Sequence, residues 1–85
     1  MTDVTIGSAD VWPDDAADVE EGMLSNWFVP EGGRVERGET LCEIQIEKVS
    51  VDVPAPADGT LTERLVPEGD TFARGDPLAR VRTDE

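Results

Sequence analysis

Lys48 is the residue with which chemistry in this chain begins. Seven of the 85 residues are basic, and Lys48 is the single lysine; the others are arginines. On one side of it Cys42, Ile44 and Ile46 alternate with Glu43, Gln45 and Glu47. On the other, Val49, Val51 and Val53 alternate with Ser50 and Asp52. Period-two alternation on both sides marks two half-buried strands. Glu47-Lys48 sits where the alternation restarts, so the pair is expected at the tip of a tight hairpin. A chain that sets its one lysine at such a tip is presenting that amine. A solvated turn lysine is the ordinary alternative.

Other routes to chemistry are scarce. The chain has no histidine and one cysteine, which removes most nucleophile-plus-base and metal-ligand constellations, and no catalytic or metal-ligating residue is assigned. Cys42 falls on the apolar phase of its strand and reads as a core residue rather than a reactive thiol. Glu20 and Glu21 form a carboxylate pair, but no partner group supports acid–base work. A small hydrolase is thereby disfavoured.

Those residues must be held by one small domain spanning 1–85. A chain of this length leaves little room for a pocket that would enclose a substrate. Twenty acidic residues against seven basic ones give a formal charge of −13. Nucleic acid and anionic membranes both require a basic surface, so neither is an expected partner. No apolar run approaches membrane-spanning length and no basic, apolar-cored leader opens the sequence, so a cytoplasmic domain is expected. The acids are spread over a patterned chain rather than gathered in a tail. A solvated acidic coat with arginine preferred to lysine resembles the surface of a protein from a high-salt cytoplasm, a hypothesis that requires salt to stabilise the fold.

The chain also repeats itself. Shifted by 37 residues, 21–44 overlays 58–81 without a gap, and nine of 24 positions are identical: Gly22, Leu24, Val29, Pro30, Glu31, Gly32, Arg37, Gly38 and Leu41 with their counterparts. The halves run about 10–47 and 48–85. Expected strands are Met23–Val29, Arg34–Val35 and Leu41–Glu47 in the first half. Thr60–Val66, Thr71–Phe72 and Pro77–Arg82 follow in the second. Gly32, Gly38, Gly69 and Gly75 are expected in turns that need positive φ. Asp14–Glu21 is acidic and poor in apolar residues and reads as a loop. Trp12 is expected to pack beneath that loop, and one of Trp27 and Phe28 to face inward. Two all-β halves, neither able to bury its face alone, predict a flattened barrel or sandwich of two four-stranded antiparallel sheets with internal pseudo-two-fold symmetry. The tip at position 48 would then lie at the end of the barrel opposite both termini.

These residues resemble the lipoyl/biotinyl attachment domains, and more closely the lipoyl domains of the acyltransferase component of 2-oxoacid dehydrogenase complexes. The resemblance covers essentially the whole chain. Trp12-Pro13-Asp14 resembles the family's first-strand ending, and Val19-Glu20-Glu21-Gly22 its run into the second strand. Trp27-Phe28-Val29-Pro30-Glu31-Gly32 resembles the segment W-x-V-x-x-G-D, with Gly33 where the family often has aspartate. Leu41 to Val49 resembles L-x-E-I-E-T-D-K-A, and Val51 to Gly59 resembles V-E-V-P-A-P-x-x-G.

The resemblance implies that Lys48, flanked by Glu47 and Val49, is acylated with lipoic acid by a lipoate ligase or lipoyltransferase. Because that enzyme activates the carboxyl, the lysine needs exposure and position rather than its own base. It further implies a monomeric, non-catalytic carrier, possessing no active site of its own, that serves a thiamin-dependent 2-oxoacid dehydrogenase, an acyltransferase and a dihydrolipoyl dehydrogenase. Glu47 replaces the usual aspartate before the lysine and keeps its charge. Biotinyl domains usually carry methionine on both sides of their lysine, which Glu47 and Val49 do not match. In this family the loop holding Asp14, Asp15 and Asp18 lies near the lysine, so those acids are candidates for partner contact; a solvated acidic loop is an equal reading. A biotinyl carrier of a carboxylase and an unmodified interaction module on the same fold are the alternatives.

Overall fold

The computed structural model describes residues 2–84. Along them run β1 (Asp3–Gly7), β2 (Glu21–Trp27), β3 (Arg34–Val35), β4 (Thr40–Ile46), β5 (Val49–Pro54), β6 (Gly59–Arg64), β7 (Thr71–Ala73) and β8 (Pro77–Thr83). They form two four-stranded antiparallel sheets, ordered β1-β8-β6-β3 and β5-β4-β2-β7. The fold is the expected all-β sandwich. Advancing every strand of the first order by four places, and counting on from β8 to β1, gives the second. That is the internal two-fold, expressed as topology.

The symmetry is built from reciprocal hydrogen bonds across the offset of 37. Gly32 N–H donates to the Leu61 carbonyl at 2.7 Å, and Gly69 N–H donates to the Leu24 carbonyl at 2.7 Å. Leu61 N–H donates to Gly33 O and Leu24 N–H to Asp70 O, both at 2.9 Å. The Glu31 carboxylate accepts from Arg64 N–H at 2.9 Å, and the Glu68 carboxylate from Trp27 N–H at 3.3 Å. Each half thus supplies backbone partners that the other lacks, so neither half is complete alone. Gly32 and Gly69 sit at φ 85° and 89° at the turns that allow this exchange.

Side chains from both inner faces meet between the sheets. Leu24, Val35, Leu41, Ile44, Ile46, Val53, Leu61, Leu78 and Val81 are fully buried. Each such aliphatic residue contributes about 1.5–3 kcal/mol of burial. Strict alternation does not describe β4, because Leu41 and Cys42 are both buried. The pairing with β5 passes from Thr40↔Pro54 directly to Cys42↔Val53, so Leu41 is the extra residue of a β-bulge. Leu78 repeats the device on β8, where pairing passes from Gly7↔Pro77 to Ile6↔Ala79.

Several boundaries differ from the expected ones. The first strand ends at Gly7, not at Trp12-Pro13-Asp14. There Ser8 turns away from the sheet and ties into the β7–β8 turn: its N–H donates to Asp76 O at 2.9 Å and its hydroxyl accepts from Gly75 N–H at 2.8 Å. Two short 3-10 turns follow: Ser8–Val11, ahead of the expected loop, and Asp14–Ala16, inside the Asp14–Glu21 stretch read as a loop. Pro13, with its fixed φ, leads into the second. This longer connection explains why the offset of 37 begins only at β2. β2, β4 and β6 close one or two residues before the expected Val29, Glu47 and Val66.

Candidate functional site

The tip of the β4–β5 hairpin is set by its two anchors. Ile46 pairs with Val49, which leaves Glu47 and Lys48 as a two-residue loop. Ile46 is fully buried and Val49 is half-buried, so both ends of the loop are fixed to the barrel while Lys48 is exposed. Glu47 has φ 55° and is the non-glycine residue of positive φ among the described residues. A left-handed conformation costs a residue with a Cβ about 1–2 kcal/mol, and two-residue hairpin loops demand it at their first position or at both. The Gln45 side-chain amide donates to the Glu47 carbonyl at 3.1 Å and braces that peptide.

Beneath the tip the packing is tight. A Cβ on Gly22 would lie 2.8 Å from the Phe72 ring and 3.2 Å from Ile46, so only glycine lets β2 pass there. Trp12 meets Phe72 edge-on, with centroids 6.3 Å apart and planes at 85°. Its indole N–H donates to Ala16 O at 2.8 Å. Arg74 covers the other part of this assembly, with its guanidinium 5.8 Å from the Trp12 ring and donating to the Ala17 carbonyl. The loop between β1 and β2 is thereby docked at the end of the barrel where β2 starts and β4 ends. Asp14, Asp15 and Asp18 on that loop are all exposed, at the same end of the fold as Lys48.

The opposite end holds the first and last described residues. β5 leads away from the tip to Pro54, and in the connection beyond it Asp58 O accepts from Asp84 N–H at 3.1 Å. Thr83 N–H donates to Thr2 O at 2.8 Å. At about 3.3 Å per residue, β5 alone separates the two ends by roughly 20 Å.

Charge is divided between the two sheets. The ion pairs Arg34–Asp84, Arg80–Glu63 and Arg82–Asp3 all involve β1, β3, β6 or β8. The Arg34 guanidinium bound to Asp84 lowers that carboxyl below its usual range. The strands of the Lys48 sheet carry Glu21, Glu43 and Asp52 and no basic residue. Beside the tip lies an open depression of about 250 Å³ lined by Glu21, Gly22, Met23, Gln45, Glu47 and Thr71. It is a surface feature, too open to enclose a substrate.

Cys42 is fully buried, and burial pushes its thiol up to about 12. It is a core residue with no thiolate to offer. Glu20 and Glu21 are both exposed, and the Glu20 carbonyl accepts from Arg74 N–H at 2.8 Å. Trp27 is the inward member of its pair, with its indole N–H on Val66 O at 2.9 Å, while Phe28 is 57% exposed. Among the described residues no group of three histidine, cysteine or acidic side chains is placed to hold a metal. The brace from Gln45 was not foreseen. Its only trace in the sequence is a lone glutamine in a chain rich in acids.

The biotin–lipoyl family model, described as "Biotin-requiring enzyme", matches residues 11–81. The chain belongs to the biotin/lipoyl attachment family. Among curated relatives of this attachment domain, the dihydrolipoyllysine-residue acetyltransferase component of the pyruvate dehydrogenase complex of Staphylococcus aureus is 37% identical over 49 residues, 58% of this chain. The same component from Staphylococcus epidermidis is 35% identical over 49 residues. The chain spans 11% of the length of these relatives. The solution structure of the lipoyl domain of the 2-oxoglutarate dehydrogenase complex from Azotobacter vinelandii superposes with a TM-score of 0.77 at 27% identity, covering 96% of this chain and 99% of that one. A single-chain, multi-domain long-chain acyl-CoA carboxylase shares the fold, with a TM-score of 0.74 at 21% identity over 98% of this chain and 7% of its own.

Proposed function

We propose that this chain is a lipoyl carrier domain, joined to lipoic acid through an amide at Lys48 Nζ, which shuttles acyl groups and reducing equivalents between the active sites of a 2-oxoacid dehydrogenase-type complex. The observation that carries the proposal is the exposed lysine on a two-residue loop whose flanks, Ile46 and Val49, are pinned to a rigid barrel. Family membership and the likeness to acetyltransferase components and to a lipoyl domain support it. Glu47 and Val49 beside the lysine favour lipoate over biotin.

The residues fit a long covalent arm. An amide forms when the amine attacks an activated lipoyl carboxyl; the activating group leaves with its bonding electrons and the nitrogen gives up a proton. A ligase or lipoyltransferase supplies the activation, and this chain supplies position and access. The open depression beside the tip offers no enclosure in which the arm would be trapped. Once attached, lipoate supplies a cyclic disulfide that takes up an acyl group with two electrons, gives the acyl group to coenzyme A and is then reoxidised. Catalysis belongs to the partners: a thiamin-dependent dehydrogenase, an acyltransferase and a dihydrolipoyl dehydrogenase. The exposed Asp14, Asp15 and Asp18 are proposed contacts for those partners at the lysine end.

Reductive acylation tests the carrier role. The lipoylated domain is offered to pyruvate dehydrogenase and to 2-oxoglutarate dehydrogenase with the matching labelled 2-oxoacid. Thiol-linked label on the domain with one of the two enzymes is expected. A lipoylated domain that accepts label from neither counts against this carrier role.

A further inference from the structure

Gln45 is the single glutamine of the chain and lies on the outer face of β4, exposed, between the acids Glu43 and Glu47. It contributes nothing to the core. Its side-chain amide donates to the carbonyl of Glu47 at 3.1 Å. That carbonyl belongs to the peptide bond joining Glu47 to Lys48. Fixing it fixes the plane from which the lysine departs.

The same peptide follows a strained residue, since Glu47 has φ 55°. Aspartate and asparagine tolerate that conformation because a short polar side chain can bond to nearby backbone. Glutamate has one more methylene and is poorly suited to it. The support comes instead from two residues upstream. Only a donor can supply it, because the group to be held is a carbonyl oxygen, and a glutamate at position 45 would bring acceptors alone. The alternation of β4 requires Gln45 to point outward with Glu43, so the one uncharged member of that row is the one placed to donate.

We infer that Gln45 is a positioning residue for Lys48: its amide holds Glu47 in the left-handed conformation and thereby sets the direction in which the lysine is presented to the enzyme that acylates it. This inference rests on Lys48 being the acylated amine, and its test separates the two claims. Gln45→Met keeps the length of the side chain and removes the donor without adding charge.

In Gln45→Met the strong intraresidue amide-to-Hα nuclear Overhauser contact of Glu47, the signature of positive φ, is expected to weaken. With lipoate ligase, ATP and lipoate as the assay, kcat/KM for Lys48 is expected to fall about threefold or more, the scale of one lost hydrogen bond. Glu47→Asn in the same background should restore both readouts. Because position 45 is exposed, the melting temperature should move little, and Gln45→Ala serves as a second variant if it does not. A wild-type acylation rate in Gln45→Met overturns the inference, as does a reduced rate with the positive-φ signature intact. A wild-type domain that is never acylated refutes the carrier reading instead, and the signature at Glu47 then decides the role of Gln45 by itself.

Discussion

The guanidinium of Arg64 covers the ring of Trp27 at 5.7 Å from its centroid, and the two residues are counterparts in the internal repeat. Their backbone N–H groups are capped by another counterpart pair, Glu68 for Trp27 and Glu31 for Arg64. The two halves therefore meet at a position where one carries an aromatic ring and the other a cation. Removing the cation in Arg64→Ala should cost about 0.5–1 kcal/mol, a fall in melting temperature of a few degrees at about 4–8 °C per kcal/mol for a domain of this size. Trp27 fluorescence should change with it. An unchanged melting temperature would show that the contact is incidental.

At Gly59 the backbone of β6 runs close against that of β8. A Cβ built there lies 2.1 Å from the Arg82 carbonyl oxygen and 3.0 Å from Thr83 Cα, and backbone cannot yield as a side chain would. Gly59→Ala should force the strands apart and destabilise the fold by more than about 2 kcal/mol. Chemical denaturation checks this, and a loss within error of zero would mean that the sheet can shift locally.

Glu47→Asn replaces a residue strained at φ 55° with one that tolerates that conformation. Stabilisation of about 0.5–1 kcal/mol is expected from the backbone alone, on the scale of other substitutions that match residue type to φ. Thermal melts of the unmodified domain provide the comparison. Destabilisation would indicate that the Glu47 side chain carries a contact worth more than the strain.

A formal charge of −13 makes the domain repel itself. Among the described residues the exposed ion pairs lie on β1, β3, β6, β8 and their flanks, and the strands of the Lys48 sheet carry no neutralising cation. Raising sodium chloride from about 0.01 M to 1 M shortens the Debye length from about 30 Å to 3 Å. The melting temperature should rise with it. No rise would remove the argument for a high-salt surface.

Asp84 gives a pH effect of definite sign. Its hydrogen bond to Arg34 lowers the carboxyl pKa in the folded state. Folding stability from this pair is therefore present above the ordinary carboxylate pKa of 3.8 and is lost as pH falls through the lower folded value. The acid limb of a pH–stability profile should move toward neutrality for Arg34→Ala only slightly, because both partners are exposed. A large displacement would contradict that exposure.

Much of this was legible in the sequence for identifiable reasons. Alternation around Lys48 located the hairpin because Ile44, Ile46 and Val53 must all enter one core. The repeat at 37 residues located four turns, since Gly32, Gly38, Gly69 and Gly75 all have φ between 85° and 98°. The rest lay beyond local pattern. The bulges at Leu41 and Leu78 depend on cross-strand pairing, which a period-two reading hides behind two adjacent apolar residues. The end of β1 at Gly7 is decided by Ser8 bonding to residues more than sixty positions later. The bond from Gln45 to Glu47 is local, yet it appears only once the backbone of Glu47 is known to be left-handed.

Lipoyl attachment at Lys48 is tested by the intact mass of the domain after coexpression with a lipoate ligase, and separately with a biotin ligase. One lipoyl increment is expected with the first enzyme, none with the second, and none with either in Lys48→Arg. An increment that survives Lys48→Arg, a biotinyl increment, or a folded domain that gains no mass with either enzyme would contradict it.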